Sequence, residues 1–117
     1  MNTKIPECYT TDSQTECLRV ETTAEYSLLL PLNQFVFSEL VSDGKEQKLR
    51  LVFAMHEVSI FGHVLRRIEA AMQRMELSGL MKIPEKYHAL IPDNQPKIRD
   101  LVVTEIKPAD QSTAALN

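Results

Sequence analysis

The sequence predicts a small α+β domain, in which an antiparallel or mixed β-sheet is packed by one main amphipathic helix. Apolar residues alternate with polar ones over 48–61 and occupy both faces over 98–106, as they do in strands. Between these two segments, over 63–77, apolar residues recur at the helical spacing. A further strand is expected near 35–41.

The length and composition are those of an ordinary globular chain. The 117 residues are 44% hydrophobic and 25% charged, which suits one folded domain and argues against disorder or a coiled coil. We expect a flexible N-terminal arm over 1–15, a single domain over 16–106 and a flexible C-terminal tail over 107–117. No apolar run suits a membrane span and the first residues lack a secretory signal, so a cytoplasmic protein without a membrane partner is expected.

The segment 35–41 is open to two interpretations. Phe35, Phe37 and Val41 alternate as they would in a strand, but a helical stripe can also be drawn through the neighbouring apolar residues. The aromatic and β-branched content favours the strand. An Asp-Gly turn signal follows directly and favours it as well.

The turn at Asp43-Gly44 is expected to be longer than two residues. Phe35 and Phe37 share a face with Leu49 only if odd positions pair with odd ones, and a two-residue loop would pair odd with even. The sequence therefore predicts an odd-numbered loop. Gly44 is expected to supply the positive φ that other residues avoid.

The predicted strand 48–61 changes parity along its length. Its apolar residues lie at odd positions up to Met55 and at even positions from Val58 onward. One face stays buried across such a change only through a β-bulge near 55–57 or through a tight turn that splits the strand. We favour the bulge, because His-Glu is poor turn chemistry.

The segment 63–77 predicts the main helix. Gly62 is expected to end the preceding strand, and Gly79 is expected to take the left-handed conformation after the last helical turn. Pro84 is expected to open a short helical turn that continues through Leu90.

The charge is small and unevenly distributed. The whole chain carries −3; residues 1–47 hold eight acidic and three basic residues, and the remainder holds ten basic and eight acidic ones. A net charge this low argues against a protein whose affinity comes mainly from neutralising phosphates. The acidic first part beside a mildly basic remainder is a weak indication of self-association.

The cysteine and histidine spacings predict neither a metal site nor a cofactor. Cys8 and Cys17 would close only a small terminal loop, so free thiols in a reducing compartment are expected. The gap between them fits no usual zinc knuckle. His56 and His63 also lack the spacing that places two imidazoles on one helical face.

His56 and Glu57 are the weak catalytic candidates. Both lie at the predicted bulge, and a histidine beside a carboxylate can act in acid–base chemistry if it lies in a cleft. The sequence contains no nucleophile elbow, P-loop or dinucleotide-binding fingerprint. An enzyme is therefore the less favoured of the functional interpretations.

A basic stripe on the predicted helix is the candidate phosphate-binding surface. His63, Arg67 and Arg74 fall close together on a helical wheel, where they could contact the phosphates of a nucleic acid. The alternative is a solvated face with local partners at Glu69 and Glu76. The chain has no Trp for base stacking, so nucleic acid binding is unsupported.

Leu77, Leu80 and Met81 are the candidate partner-binding residues. The apolar stripe of the helix already faces the sheet, so these side chains at the helix end need a second surface to cover them. A protein partner or a second copy of the chain could supply it. The leading expectation is a non-catalytic protein–protein interaction or adaptor module that is able to self-associate.

Overall fold

The structure, a computed structural model, describes residues 6–106 and is mostly β. Of the described residues, 54% lie in strands and 17% are helical. The strands are β1 Tyr9–Thr11, β2 Cys17–Thr23, β3 Tyr26–Pro31, β4 Phe35–Asp43, β5 Glu46–Phe53, β6 His56–His63, β7 Leu77–Met81 and β8 Lys97–Glu105. The helix is α1 Arg66–Gln73, and 3₁₀ turns lie at Leu32–Gln34 and Glu85–Leu90.

Two four-stranded sheets share one core. The first sheet has the order β1-β7-β2-β3, in which β2 and β7 are parallel, and the second has the order β4-β5-β6-β8 and is antiparallel throughout. Leu18 of the first sheet, Leu51 of the second and Ile68 of α1 all belong to one buried cluster. The predicted α+β arrangement, a sheet packed by one main helix, is therefore wrong, because the described residues form two four-stranded sheets and one short helix that share this cluster.

The first sheet lies outside the three predicted strands, 35–41, 48–61 and 98–106. Within the expected arm 1–15, Tyr9–Thr11 pairs with β7 and Cys8 is buried, so this part of the arm belongs to the fold. β7 in turn runs parallel to β2, with Arg19 opposite Gly79. Residues 1–5 and the expected tail 107–117 lie outside the described residues.

The β4–β5 hairpin has a two-residue turn. Asp43 pairs with Glu46, which leaves only Gly44 and Lys45 in the loop. The predicted odd-numbered loop is therefore wrong, although Gly44 does have a positive φ of 64°. The loop needs no extra residue, because the pairing between β4 and β5 changes from odd-with-even to odd-with-odd further along β4.

A β-bulge at Val36 makes that change. Phe35 pairs with Phe53 and Phe37 with Val52, so the register skips Val36. The rings of Phe35 and Phe53 meet edge to face with their centres 5.6 Å apart. The bulge thus keeps Phe35 against the core and places Phe37 on the opposite face of the sheet.

The predicted single strand 48–61 is two strands. A tight turn at Ala54 and Met55 separates β5 from β6, and a bulge near 55–57 is not what changes the parity. Leu51 pairs with Val58 across the hairpin, and both are fully buried. The hairpin pairs odd positions of β5 with even positions of β6. One buried face of the sheet therefore contains the odd apolar residues before the turn and the even ones after it.

The helix is shorter than the predicted 63–77 and is flanked by strained residues. Val64 precedes it and Met75 follows it, each with a φ of 57°, a value that β-branched and bulky side chains rarely adopt. The backbone N–H of Leu65 donates to the Gln47 side-chain oxygen at 2.7 Å, which holds the start of the helix to β5. No helix among the described residues is long and apolar enough to cross a membrane.

Gly62 does not end a strand, and Gly79 does not cap the helix. Gly62 lies within β6, where a Cβ atom would collide with the carbonyl oxygen of Lys97 in β8. Gly79 lies within β7. Gly62 is thus required by the close approach of two backbones, and the left-handed residue after the helix is Met75.

Substituting Gly62 with Ala should destabilise the fold. The added methyl group would force β6 and β8 apart, and overpacking of this kind costs about 1–3 kcal/mol. Urea unfolding followed by circular dichroism measures the change. Gly44→Ala is the matched control, because the added Cβ meets open space there. Its free energy of unfolding should fall by about 1 kcal/mol, the cost of a left-handed conformation for a residue with a side chain. Equal losses in the two variants would contradict the close approach.

Substituting Met75 with Gly should stabilise the protein. Met75 is 40% exposed and has a positive φ, so glycine removes backbone strain at little cost in buried surface. The free energy of unfolding should rise by about 0.5–1 kcal/mol. Met75→Ala keeps the strained side-chain carbon and should give no gain. A Gly variant no more stable than the Ala variant would argue against strain at this position.

Candidate functional site

The outer face of the second sheet carries the most developed cluster of side chains on the described surface. Strand alternation and register place these residues on the side away from the core. We call this surface the aromatic face. Its members are Phe37, Glu39 and Val41 of β4, Lys48, Arg50 and Val52 of β5, Glu57, Ser59 and Phe61 of β6, and Arg99 and Val102 of β8.

Arg50 lies at the centre of the aromatic face. Its Nη1 donates to Glu39 Oε1 at 2.9 Å, and its Nε lies 3.4 Å from Glu57 Oε2. The guanidinium carbon is 5.6 Å from the centre of the Phe37 ring. Nε is buried without a well-formed hydrogen bond, so its contact with Glu57 is electrostatic. Two carboxylates and one ring therefore hold this guanidinium in place.

Phe61 lies between two cations. Lys48 Nζ is 5.6 Å and Arg99 Cζ is 5.8 Å from its ring centre. Arg99 is the bulged residue of β8, skipped between Asp100 and Ile98 in the register with β6. Its Nη2 donates to Glu46 Oε1 at 2.9 Å, and this hydrogen bond lowers the pKa of the Glu46 carboxyl.

The chemistry of the aromatic face suits binding more than catalysis. Aromatic rings and arginines are the side chains that contribute most to protein interfaces, especially when they are held rigidly before binding. Phe37, Val41 and Val102 are each more than 40% exposed, which provides apolar area. No group of three His, Cys, Asp or Glu side chains that could hold a metal occurs among residues 6–106.

His56 and Glu57, the weak catalytic candidates, are not brought together. They are the first two residues of β6, and neighbours in a strand point to opposite faces. Glu57 belongs to the aromatic face beside Arg50, whereas His56 lies on the other side of the sheet. Neither residue lines the clefts of about 720, 690 and 240 Å³ on the described surface.

His63, Arg67 and Arg74, the candidate phosphate-binding residues, lie on three different kinds of backbone. His63 is the last residue of β6, opposite Lys97, and only Arg67 lies within α1. Arg74 follows the helix and contacts Glu76 at 3.2 Å. The helical wheel that grouped them assumed a helix starting at residue 63, so the predicted stripe does not form.

Leu77, Leu80 and Met81, the candidate partner-binding residues, lie in β7. Leu77 and Leu80 are 0% and 2% exposed and belong to the core, and Met81 is half-buried. Leu77 and Leu80 therefore need no partner to cover them, because they are already buried within the fold. The aromatic face is therefore the better docking surface.

Two clefts of similar volume are lined in part by residues of the first sheet. The larger, about 720 Å³, contains charged side chains of both signs, including Glu21, Lys82 and Arg99. His88 also lines it, but its Nε2 is 2.7 Å from the backbone oxygen of Ile83 and is thus already hydrogen-bonded. The second cleft, about 690 Å³, is lined by proline-rich backbone around Cys8. The Cys8 thiol in the second cleft is buried and its pKa is raised to about 11, which disfavours a nucleophilic role.

Phe37 and Phe61, with Lys48 and Arg50, were missed as site residues. Unbroken alternation from Phe35 would place Phe37 on the inner face. The bulge at Val36 has no clear signature in the sequence. Lys48, Arg50 and Phe61 could have been predicted from the sequence. They alternate with the buried residues of their strands, and such positions point away from the core.

Comparisons with known proteins give no relative for this chain. No protein-family model, curated protein or solved structure matches it. The aromatic face is therefore interpreted from its own geometry.

The Cys8 thiol should react far more slowly than that of Cys17. Both thiols are free, but Cys8 is 2% exposed. Burial raises the pKa of Cys8 from its ordinary value of 9.0 to about 11, so near neutral pH it carries roughly a hundredfold less thiolate than a cysteine with the ordinary pKa. Iodoacetamide near pH 8 should therefore label Cys17 in the folded protein and Cys8 only on unfolding, as mass spectrometry would measure. Prompt labelling of Cys8 in the folded protein would contradict its burial.

The same burial makes the contribution of Cys8 to stability depend on pH. Its folded pKa lies above its unfolded one, so this contribution is complete at lower pH and is lost as the pH rises from about 9 to about 11. Cys8→Ala should lose this part of the pH dependence, and Cys17→Ala is the matched control. Parallel curves of unfolding free energy against pH for wild type and Cys8→Ala would contradict the assignment.

Proposed function

We propose that this chain is a non-catalytic protein–protein interaction module of the cytoplasm that docks through the aromatic face. The observation that carries the proposal is an exposed sheet face on which apolar side chains surround arginines already fixed by carboxylates. The cytoplasmic location is supported by the two free cysteines, as expected of a reducing compartment.

The charge pattern favours a protein over a nucleic acid as the partner. Arg50 contacts two carboxylates and Arg99 contacts Glu46, so phosphates would have to displace ion pairs that already exist. Among residues 6–106, Lys48 is the cation of this face that makes no salt bridge. Fixed ion pairs beside exposed rings instead suit a partner that is itself partly apolar and uses charge for specificity.

The nucleic-acid alternative retains one supporting observation. An exposed ring, Phe37, and a half-buried ring, Phe61, on an antiparallel sheet resemble in outline the platforms on which single-stranded nucleic acids stack. Arg66 and Arg67 are also exposed and make no salt bridge within the described chain. Salt-sensitive binding of a single-stranded oligonucleotide that is lost in Arg67→Glu would favour this alternative over the proposed module.

Site-specific photo-cross-linking in cells tests the proposal. A benzoylphenylalanine at Val41 or Val102, both exposed on the aromatic face, should cross-link to protein. The same group at Leu29, which is 52% exposed on the first sheet, is the matched control and should give little product. Cross-linking at Leu29 as strong as at Val41, or none at Val41 and Val102, would contradict docking through this face.

Removing the rings should weaken the same complex. Phe37→Ala and Phe61→Ala should each reduce cross-linking from Val102 by roughly tenfold, as expected for aromatic residues central to an interface. Phe37 is 45% exposed, so its truncation should leave the circular dichroism spectrum and most of the stability intact. Full cross-linking in both folded variants would show that the rings do not contribute to binding.

A further inference from the structure

The free edge of β4 differs from the other edge of the same sheet. Within the described chain, β4 pairs only with β5, so the backbone groups along its other side have no strand partner. β8, at the opposite edge, carries Lys97, Arg99, Asp100 and Glu105. Charged side chains of this kind protect an edge from pairing with other chains.

β4 lacks that protection along most of its length. Over the nine residues of β4 the charged side chains are Glu39 and, at the turn, Asp43. Its side chains Val36, Phe37 and Val41 are 61%, 45% and 48% exposed. Even the bulge, which blunts an edge in many proteins, here presents an apolar residue. The edge therefore combines unpaired backbone with uncovered apolar surface, as in strands that add to another strand.

We propose that a second copy of this chain covers the β4 edge, by antiparallel pairing of β4 with β4 about a two-fold axis at Ser38. The two four-stranded sheets then join into one continuous sheet, and the aromatic faces of both copies lie on the same side of it. This inference rests on the proposed function, because Phe37 and Val41 of the aromatic face belong to β4, the strand that would pair with a second copy.

The exposed residues select the position of the axis. With the axis at Ser38, Val36 lies opposite Leu40 of the second copy, and Phe37 lies opposite Glu39. Val36 and Phe37, two of the three exposed apolar side chains of β4, are then within the contact. An axis at Leu40 would leave Val36 uncovered.

Charge complementarity selects the same position. An axis at Glu39 would set two carboxylates directly opposite each other, which is unfavourable. With the axis at Ser38, Glu39 lies opposite Phe37 of the second copy, whose ring is 5.6 Å from its own Arg50. Each Glu39 thus approaches an arginine of the other copy, and the arrangement repeats by symmetry as an isologous contact requires.

Sedimentation equilibrium of the full chain tests the pairing. The contact is small, so we expect a reversible dimer. Its dissociation constant should lie between about 10 µM and about 1 mM. Val36→Lys places a charge on the edge and should weaken the dimer by roughly tenfold or more. Leu29→Lys is the matched control, because Leu29 is 52% exposed on β3, an edge strand of the first sheet, and should leave the dimer unchanged.

Disulfide trapping tests the register. In a Cys17→Ser background, Ser38→Cys should form a covalent dimer on mild oxidation, because the two thiols would face each other across the axis. Ser42→Cys is the control: it lies on the same strand, and its opposite position is Gln34 of the second copy. Faster trapping through Ser42→Cys than through Ser38→Cys would overturn the register.

Two results would overturn the self-pairing itself. One is a wild-type chain that stays monomeric up to about 1 mM, the upper end of the range for weak interfaces. The other is a dimer that Leu29→Lys disrupts and Val36→Lys does not. A monomer whose Val41 and Val102 positions still cross-link to a different protein would reject the second copy and retain the proposed interaction module. A monomer with no cross-links would reject both.

Discussion

Strand alternation in the second sheet determines which of its side chains reach the solvent. A strand that packs on one side has a single face to bury, and here both sheets direct that face into one shared core. Leu51 and Val58 meet across the β5–β6 pair with no exposed surface. Because a shift of one residue would move every side chain to the opposite face, the few places where the register breaks decide what lies outside. Two of these breaks are at Val36 and Arg99, one on each edge strand.

The two bulges have opposite consequences for their edges. At β8 the bulged residue is Arg99, whose charge adds to a well-protected edge and whose guanidinium reaches Glu46 and the Phe61 ring. At β4 the bulged residue is Val36, which adds apolar surface to an edge with little charge. Since bulges commonly terminate pairing, their position limits how far another strand can extend along either edge. The β8 edge is thus protected by its charged side chains, whereas the β4 edge is open over most of its length.

The sequence predicted local elements better than it predicted their assembly. Strands do occur at 35–43 and 97–105, and the apolar residues of the helix are buried, because strong periodicity depends only on neighbours in the chain. The first sheet could not be foreseen, since β7 has five residues and pairs in parallel with a strand sixty positions earlier. The predicted ends of the helix were wrong for a different reason. Val64 and Met75 have positive φ values, which their side chains disfavour, so contacts with the rest of the fold determine where the helix begins and ends.

The candidate site depends on the same long-range contacts. With unbroken alternation, Phe35 and Phe37 would both lie on the inner face. The bulge between them sends Phe35 toward Phe53 in the core and Phe37 toward Arg50 outside. Core packing and the composition of the aromatic face are thus coupled, because removing the bulge would exchange a buried ring for an exposed one. The edge-to-face contact of Phe35 with Phe53 therefore stabilises the fold and also fixes which aromatic ring β4 presents to the solvent.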